Sequence, residues 1–360
     1  MRRLKVRSRN FDYSVVVGRG AWSAFRSINP AHYSSIFILT EPGLWRQWGG
    51  KFLRAAGLSR ARAITVPSGE PSKSLAQVER IALKLSACGA DRHSLLVAFG
   101  GGVVGDLGGF VASTYMRGMD CVQVPTTVVA QVDSSIGGKT AVDVGKAKNL
   151  VGTFHSPRLV LADPTVLSSL SERAFRSGFY EVVKHAILSG PTFFACLERQ
   201  LAKLRPGRAA DLAPIIARAA KVKVEVVNRD ERETDLRRVL NLGHTLGHAI
   251  EEATEYRRFL HGEAVGWGLL GVIRLGERLG ALPGDEAARM VQLVRQVGPL
   301  PSIKDLRAGR VLPLLLHDKK TVGGRIHWVV PERIGKLRVR SDVPMETVAQ
   351  AFRDIQRAME

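Results

Sequence analysis

The chain has 360 residues, 45% of them hydrophobic, and carries 53 Lys and Arg against 33 Asp and Glu, which gives a formal net charge of +20 at pH 7. This length and composition predict a globular protein of two domains. The apolar runs at residues 94–99 and 265–275 are much shorter than the roughly 20 residues that span a bilayer, so no membrane segment is expected.

The basic residues are scattered over nearly every segment. There is no basic tail, zinc-finger spacing or stripe of interleaved aromatic and basic residues, so we expect a solvated basic surface and no specific nucleic-acid partner. Cys88, Cys121 and Cys196 form an odd set without CxxC spacing, and residues 1–9 lack the apolar core of a secretory signal. Both features predict a cytoplasmic protein with reduced thiols.

The first half of the chain alternates short β-rich runs with stretches of helical periodicity. The predicted strands cover residues 13–17, 35–40, 62–66, 94–99, 121–124 and 158–161. The predicted helices between them cover residues 44–56, 73–88 and 104–116. Strand and helix in alternation predict a parallel sheet covered on both faces.

From about Asp163 onward the pattern becomes almost purely helical, and Pro164 marks the change. Helices are predicted at residues 175–188, 192–204, 212–228, 238–252, 263–279, 285–297 and 345–358, with a short β pair at 326–330 and 337–339. We therefore predict an α/β domain over residues 1–163 and a mainly helical domain over residues 164–360. The chemistry is expected where the loops of the sheet meet the helices.

A glycine-rich loop at residues 100–106, GGGVVGD, follows a predicted strand and opens a predicted helix. Glycines in this position let backbone amides and a helix N-terminus approach a pyrophosphate, which favours nucleotide binding over a purely structural turn. The acidic residue that usually ends the next strand of a dinucleotide fold is missing, because Asp120 precedes that strand.

A polar run follows at residues 125–149. It gathers hydroxyls, glycines, Asp133 and the lysines at 139, 146 and 148, a composition that suits an anion-binding loop. The alternative is an ordinary exposed loop.

Three histidines are concentrated in eighteen residues. His244 and His248 lie one turn apart on a predicted helix, and His261 opens the next apolar helix. By spacing alone, the three imidazoles predict a divalent metal site, since neutral imidazole suits zinc. The alternative is three histidines that are bonded to backbone carbonyls by chance of position. The spacing differs from His-Glu-x-x-His, because Thr245 occupies the place of the general base.

Taken together, the ordered motifs resemble the 3-dehydroquinate synthase family from about Gly69 to Gly335. The matching segments are residues 69–73 (GEPSK), 100–106, 115–118 (YMRG), 123–139, 148–149 (KN), 181–184 (EVVK), 230–233 (DERE), 241–248 (NLGHTLGH), 261–263 (HGE) and 318–320 (DKK). The resemblance implies a Rossmann-like NAD domain, a helical metal-binding domain and a homodimer. It departs from the family pattern at Ser169, commonly Thr, and at Phe179-Tyr180, usually a small pair.

The resemblance also implies roles for particular residues. It gives a zinc or cobalt ion the ligands Glu181, His244 and His261, so that His248 becomes a proton-transfer group instead of a ligand. The implied NAD-binding residues are Glu41, Glu70, Lys73, Gly101, Gly102, Asp106, Thr126, Thr127, Lys148 and Ser169. The implied substrate-binding residues are Arg117, Asp133, Lys139, Asn149, Lys223 and either Lys319 or Lys320. The implied catalytic residues are His248, Glu233, Lys184, Arg237 and Asn241.

The substrate implied by this resemblance is an anionic sugar phosphate, 3-deoxy-D-arabino-heptulosonate 7-phosphate. NAD would oxidise one alcohol transiently, phosphate would leave by elimination, the hydride would return, and an aldol closure would give 3-dehydroquinate. Three alternatives remain: another sugar phosphate cyclase, an iron-dependent alcohol or glycerol dehydrogenase, and a basic binding protein without activity.

Overall fold

The computed structural model describes residues 1–59, 61–145, 147–233, 236–316 and 326–357. The chain divides into two compact units, the first formed by Met1–Leu170 with Arg205–Glu231 and the second by Ser171–Leu204 with Arg232–Glu360. Within the described residues, no helix combines the length and the apolar character needed to cross a membrane.

The first unit is built on a seven-stranded sheet. The strands of the chain are β1 Arg2–Arg7, β2 Asp12–Val17, β3 Ile36–Thr40, β4 Ala61–Thr65, β5 Leu95–Gly100, β6 Asp120–Pro125, β7 Lys139–Val144, β8 Ala147–Phe154, β9 Leu159–Ala162, β10 Trp328–Arg333 and β11 Lys336–Arg340. The sheet order is β1-β2-β9-β6-β5-β3-β4, parallel except for the antiparallel β1–β2 pair. Pairs β7–β8 and β10–β11 form separate hairpins.

The interior strand β5 shows why the sheet is covered on both faces. Leu96 and Ala98 contribute to one buried cluster, and Leu95, Val97 and Phe99 contribute to the other. Successive side chains of a strand point to opposite faces, so a continuous apolar run fills two cores at once.

The helices are α1 Pro42–Leu44, α2 Gly50–Ala56, α3 Leu75–Ala87, α4 Gly102–Thr114, α5 Glu172–Ser189, α6 Pro191–Gln200, α7 Ala209–Arg229, α8 His244–Ala253, α9 His261–Arg278, α10 Gly284–Gln296, α11 Ala308–Val311 and α12 Met345–Arg357. Helix α7 belongs to the first unit, although it lies beyond the predicted boundary between residues 163 and 164. It packs against β1, β2 and the short turn at Pro164–Ser169. The periodicity of a sequence predicts that a segment is helical. It does not predict which unit the helix joins, because that depends on the surface against which the helix packs.

The second unit is organised around helix α9, which is almost wholly buried and packs against α5, α8, α10, α12 and β10. The apolar residues of α9 therefore cover most of its circumference, as expected for a central helix. Tyr180 fits this packing. A Cβ on Gly266 would lie only 2.7 Å from Cδ1 of Tyr180, so the ring uses the space that this glycine leaves. The hydroxyl of Tyr180 donates a hydrogen bond to the carbonyl of Gly298 at 3.0 Å.

The alternation of strands and helices predicted for the first half is confirmed. The prediction omits β1 and the β7–β8 hairpin, whose sequences are rich in charge, Gly and Asn. The continuous helix predicted over residues 238–252 is wrong. A short 3₁₀ turn covers Leu236–Asn241, Gly243 adopts φ +79°, and α8 begins at His244. The left-handed backbone of Gly243 interrupts the helix.

Glycines allow the backbones of α5, α8 and α9 to approach closely. A Cβ on Gly268 of α9 would lie 1.8 Å from the carbonyl oxygen of Gly243, and one on Gly262 would lie 1.8 Å from the carbonyl oxygen of Ser177. A Cβ on Gly247 of α8 would lie 3.0 Å from the carbonyl oxygen of Ala264. Side chains at these positions would force the three helices apart.

Gly268→Ala should therefore destabilise the second unit by about 1–3 kcal/mol, because the methyl group has no space beside the carbonyl of Gly243. Gly284→Ala is the matched control, since no atom lies within 4 Å of a Cβ built at the start of α10. Thermal unfolding followed by circular dichroism should show a lower midpoint for Gly268→Ala alone. Equal midpoints for the two variants would contradict the close crossing of α8 and α9.

Candidate functional site

A buried carboxylate and two imidazoles meet in the second unit. Glu181 of α5 is 0% exposed, and its Oε1 lies 3.3 Å from Nε2 of His244 and 3.4 Å from Nε2 of His261. These separations exceed those of a charge-assisted hydrogen bond. Two ligand atoms each about 2.05 Å from a tetrahedral zinc ion lie about 3.3 Å apart. The spacing of the three groups therefore fits a small divalent cation.

The electrostatic surroundings keep Glu181 ionised. Burial alone would raise its pKa, but Lys184 and the imidazole of His244 hold the pKa well below its usual range. Nζ of Lys184 lies 2.5 Å from Oε2 of Glu181, and the Lys184 side chain is 1% exposed. One carboxylate oxygen thus faces an ammonium and the other faces two imidazoles, so the carboxylate can serve as a metal ligand.

The packing of the helices explains how residues far apart in sequence converge. Gly262 follows His261 and sits on the carbonyl of Ser177, one helical turn before Glu181. The start of α9 therefore lies against α5 at the level of the carboxylate. Gly243 precedes His244, and its left-handed φ starts α8 at that residue.

Two further carboxylates hold the start of α9. Glu263 accepts hydrogen bonds from the guanidinium of Arg173 at 2.7 and 2.8 Å and from the backbone amide of Leu260 at 2.8 Å. Oε2 of Glu251 lies 3.2 Å from Nδ1 of His261. Partial burial would lower the pKa of His261, but Glu251 and Glu181 raise it to about 10. Sequence reasoning missed Glu251 and Arg173, although Glu251 lies on the His248 face of α8, three residues on.

The three-histidine set that spacing predicts differs from the observed grouping. Among the described residues, Glu181, His244 and His261 form one group whose potential ligand atoms all lie within 4.8 Å of one another, and His248, Glu251 and His261 form another. The His248 ring lies 5.5 Å from the His244 ring and 5.9 Å from the His261 ring, centroid to centroid. His248 is therefore a neighbour of the first group and not a member of it.

Other predicted catalytic residues lie just before α8. Arg237 is buried on the 3₁₀ turn at Leu236–Asn241. The side-chain amide of Asn241 donates a hydrogen bond to Oε1 of Glu233 at 2.8 Å. Glu233 adopts φ +62°, a left-handed conformation that is uncommon for a residue with a Cβ. This amide contact fixes the Asn241 side chain.

In the first unit, a second set of predicted residues lies at the carboxyl ends of neighbouring strands. Glu41 follows β3, Gly101 follows β5 and Thr126 follows β6, and the amide of Thr126 donates to the carbonyl of Gly100 at 2.9 Å. A Cβ on Gly101 would lie 3.0 Å from Cγ2 of Thr127, while α4 begins at Gly102. This arrangement of strand, glycine turn and helix N-terminus can accept a phosphate.

Charged residues flank this turn. Nζ of Lys73 lies 2.5 Å from Oδ2 of Asp106, and Nζ of Lys148 lies 3.6 Å from Oε1 of Glu70. Burial lowers the pKa of Lys73, but Asp106 outweighs this and the net shift is upward. Burial also raises the pKa of Asp106, against the effect of Lys73. The short contact favours both charged forms, so we treat the pair as an ion pair.

The remaining predicted residues of the first unit are spread around the polar run. Lys223 of α7 forms a short ion pair with Asp133. Lys139 begins β7, and Asn149 of β8 has φ +52° and donates its amide to Oδ1 of Asp143 at 2.7 Å. Ser169 donates its hydroxyl to the carbonyl of Val166, and exposed Arg117 has φ +71°. Lys319 and Lys320 lie outside the described residues.

Residues 63–177 match the family model for the 3-dehydroquinate synthase N-terminal domain, and residues 178–321 match that for the C-terminal domain. A 3-dehydroquinate synthase of Solibacter usitatus (strain Ellin6076) is 42% identical over 341 residues, which cover 95% of this chain and 96% of that protein.

Solved structures show the same fold. A 2-deoxy-scyllo-inosose synthase complexed with carbaglucose-6-phosphate, NAD+ and Co2+ aligns with a TM-score of 0.86 at 24% identity, covering 98% of this chain and 100% of that one. ValA, a 2-epi-5-epi-valiolone synthase from Streptomyces hygroscopicus subsp. jinggangensis 5008 with NAD+ and Zn2+ bound, aligns with a TM-score of 0.84 at 26% identity, covering 98% of this chain and 99% of that one.

The grouping around Glu181 predicts how the protein retains metal. His244→Ala and His261→Ala should each weaken Zn2+ binding by more than about 100-fold, because two ligands hold zinc far less tightly than three. His248→Ala should retain the metal. Metal content can be measured by mass spectrometry after removal of the metal, reloading and dialysis. Full occupancy in His261→Ala would remove His261 from the ligand set.

Proposed function

The chain belongs to the 3-dehydroquinate synthase family, and on that premise we propose which of its residues perform the reaction. The activity is that of a phosphate-eliminating carbon–oxygen lyase that converts 3-deoxy-D-arabino-heptulosonate 7-phosphate into 3-dehydroquinate and phosphate. The observation that carries the assignment of residues is the convergence of Glu181, His244 and His261. The product would serve the shikimate pathway of aromatic amino-acid synthesis.

In this proposal Glu181, His244 and His261 hold one divalent ion, zinc or cobalt. When bound, the ion acts as a Lewis acid on substrate oxygens. Lys184 keeps Glu181 ionised and contacts its Oε2, whereas Oε1 of Glu181 faces the two imidazoles. The two solved relatives described above, with Co2+ and Zn2+, support a metal of this class.

NAD would bind to the first unit at the glycine turn after β5. When bound, it would supply a reversible hydride acceptor for one substrate alcohol, so that NAD would not be consumed overall. The N-terminus of α4 and the small residues Gly101 and Gly102 leave space for a pyrophosphate. We assign a further set of hydroxyl-bearing and charged residues to the same cofactor: Glu41, Glu70, Lys73, Asp106, Thr126, Thr127, Lys148 and Ser169.

The substrate carries a carboxylate and a phosphate, and we assign to its binding a set of cationic and amide side chains together with Asp133, the ion-pair partner of Lys223. These are Arg117, Asp133, Lys139, Asn149, Lys184, Lys223, Arg237, Asn241, Lys319 and Lys320, of which the last two lie outside the described residues. Lys184, Lys223 and Arg237 are buried. A fixed, desolvated cation stabilises developing negative charge more strongly than a solvated one does.

Proton transfer is assigned to His248. Glu233, which accepts a hydrogen bond from the side-chain amide of Asn241, is assigned to the same catalytic set. The His248 ring stands next to those of His244 and His261 without joining their group. An imidazole can accept and release protons near neutral pH, which suits a reaction that oxidises an alcohol and eliminates phosphate.

Other synthases share this fold, and the two solved proteins described above are named for different products, 2-deoxy-scyllo-inosose and 2-epi-5-epi-valiolone. Substrate choice therefore needs a direct assay. Purified protein with Zn2+ or Co2+ and a tenfold excess of heptulosonate phosphate over NAD should release phosphate to completion without net NADH, because each hydride returns within the cycle. NADH that accumulates in proportion to product would contradict the proposed function and favour a dehydrogenase. Identification of the product by NMR would distinguish 3-dehydroquinate from another carbocycle.

We also propose a cytoplasmic homodimer, supported by three free cysteines and by exposed apolar side chains on the β7–β8 hairpin. Leu150 and Phe154 of β8 are 53% and 44% exposed and lie on the same face of the strand. Exposed apolar residues that cluster in this way are typical of interaction surfaces.

The dimer assignment predicts that Phe154→Asp lowers the mass measured by light scattering from that of two chains to that of one at micromolar concentration, since a buried charge weakens an apolar interface. Leu83→Asp is the control, because Leu83 is 65% exposed and belongs to α3, not to the hairpin. A wild-type monomer, or dissociation by the control alone, would contradict this surface.

A further inference from the structure

Glu251 is a buried carboxylate to which none of the assignments above gives a role. It is 4% exposed and lies on α8, seven residues after His244 and three after His248, so all three side chains share one face of the helix. Burial of a carboxylate is costly unless hydrogen-bond partners offset the lost hydration. Its presence beside the metal group therefore calls for a function.

The two nitrogens of the His261 ring face different carboxylates. Nε2 lies 3.4 Å from Oε1 of Glu181, and Nδ1 lies 3.2 Å from Oε2 of Glu251. An imidazole that binds a metal through Nε2 carries its proton on Nδ1. A carboxylate that accepts a hydrogen bond from this Nδ1–H fixes both the tautomer and the ring orientation.

The surrounding backbone holds this contact in place. The start of α9, and with it His261, is fixed by the hydrogen bonds of Glu263 to Leu260 and Arg173. The distance between α8 and α9 is set by the crossing of Gly243 and Gly268. Glu251 and His261 therefore approach each other from two separately anchored helices.

We propose that Glu251 is a positioning residue that orients His261 toward the metal through Nδ1. The inference rests on the proposed ligand set, but not on the identity of the substrate. A carboxylate in this place strengthens the imidazole as a ligand and reduces the ordering that metal binding requires.

An alternative use of the same atoms is a second cation held by His248, Glu251 and His261, whose potential ligand atoms also lie within 4.8 Å of one another. The positioning role requires one metal per chain, whereas a second cation site requires two. Metal stoichiometry separates the two cases.

The test compares Glu251→Gln with Glu252→Gln, which removes a carboxylate from the next residue of the same helix. The metal-free proteins are titrated with Zn2+ against a chromophoric chelator, and the visible absorption of the Co2+-loaded forms is recorded. Glu251→Gln should bind Zn2+ about 10- to 100-fold more weakly and should change the Co2+ spectrum, because the ring of His261 is no longer fixed. Glu252→Gln should behave as wild type in both measurements.

The thermal midpoint of the metal-free proteins distinguishes positioning from simple support of the fold. The midpoint should be similar in Glu251→Gln and Glu252→Gln. If Glu251→Gln does not fold, Glu251→Asp replaces it in the test. This variant keeps the charge and should bind Zn2+ more tightly than a variant without the carboxylate. Unchanged Zn2+ affinity and Co2+ spectrum in Glu251→Gln, two metals per wild-type chain, or an affinity loss fully matched by unfolding of the metal-free protein would each overturn the proposal. None of these measurements depends on turnover, so an inactive wild-type protein that binds one metal would count against the proposed function alone.

Discussion

The close approach of three helix backbones is the constraint on which the geometry of the second unit depends. Glycines occupy the positions where α8 crosses α9 and where α9 begins against α5. A Cβ at these glycines would overlap a backbone carbonyl of the neighbouring segment. Backbones cannot move away from such contacts without loss of the packing around α9. Glu181 and His261 meet because their helices touch at Gly262, so the spacing of these two proposed ligands follows from backbone contact more than from side-chain flexibility.

Three buried lysines among the described residues are paired with carboxylates. Lys184 with Glu181, Lys73 with Asp106 and Lys223 with Asp133 each join an ammonium to a carboxylate at short range. Pairs of this kind contribute little net stability, because removal of both charges from water offsets much of their attraction. Their value lies in position. A cation already held by a carboxylate needs little ordering when an anionic ligand arrives, and the surrounding dipoles are aligned before the reaction begins.

The sequence predicts the parts of the fold that repeat a local pattern. The alternation of apolar strands and helices in the first half predicts the parallel sheet, and the glycine loop after β5 predicts its own turn. Local pattern does not reveal Glu181 as a partner of His244, since 62 residues separate them and the contact depends on how α5 packs. Resemblance to a family supplies that pair. Glu251 could have been predicted from the sequence as a neighbour of the histidines, because its spacing from His248 places it on the same face of α8.

The high net charge has a partly structural explanation at the edge of the sheet. Strand β1 ends the sheet, and Arg2, Arg3, Lys5 and Arg7 are exposed along it, while Val6 is buried. On its outer edge, the amide of Arg7 donates to the side chain of Asn228, and the Asn228 amide donates to the carbonyl of Lys5.

An edge strand with free backbone groups can pair with another chain, and both charge and a covering helix oppose that. Helix α7 supplies Asn228, so the segment that joins the first unit from beyond the predicted boundary also closes its exposed edge. Charged side chains that keep an edge strand from pairing with another chain are expected on the surface regardless of which ligand the protein binds. The +20 total is therefore compatible with a small anionic substrate and by itself gives no support to a nucleic-acid partner.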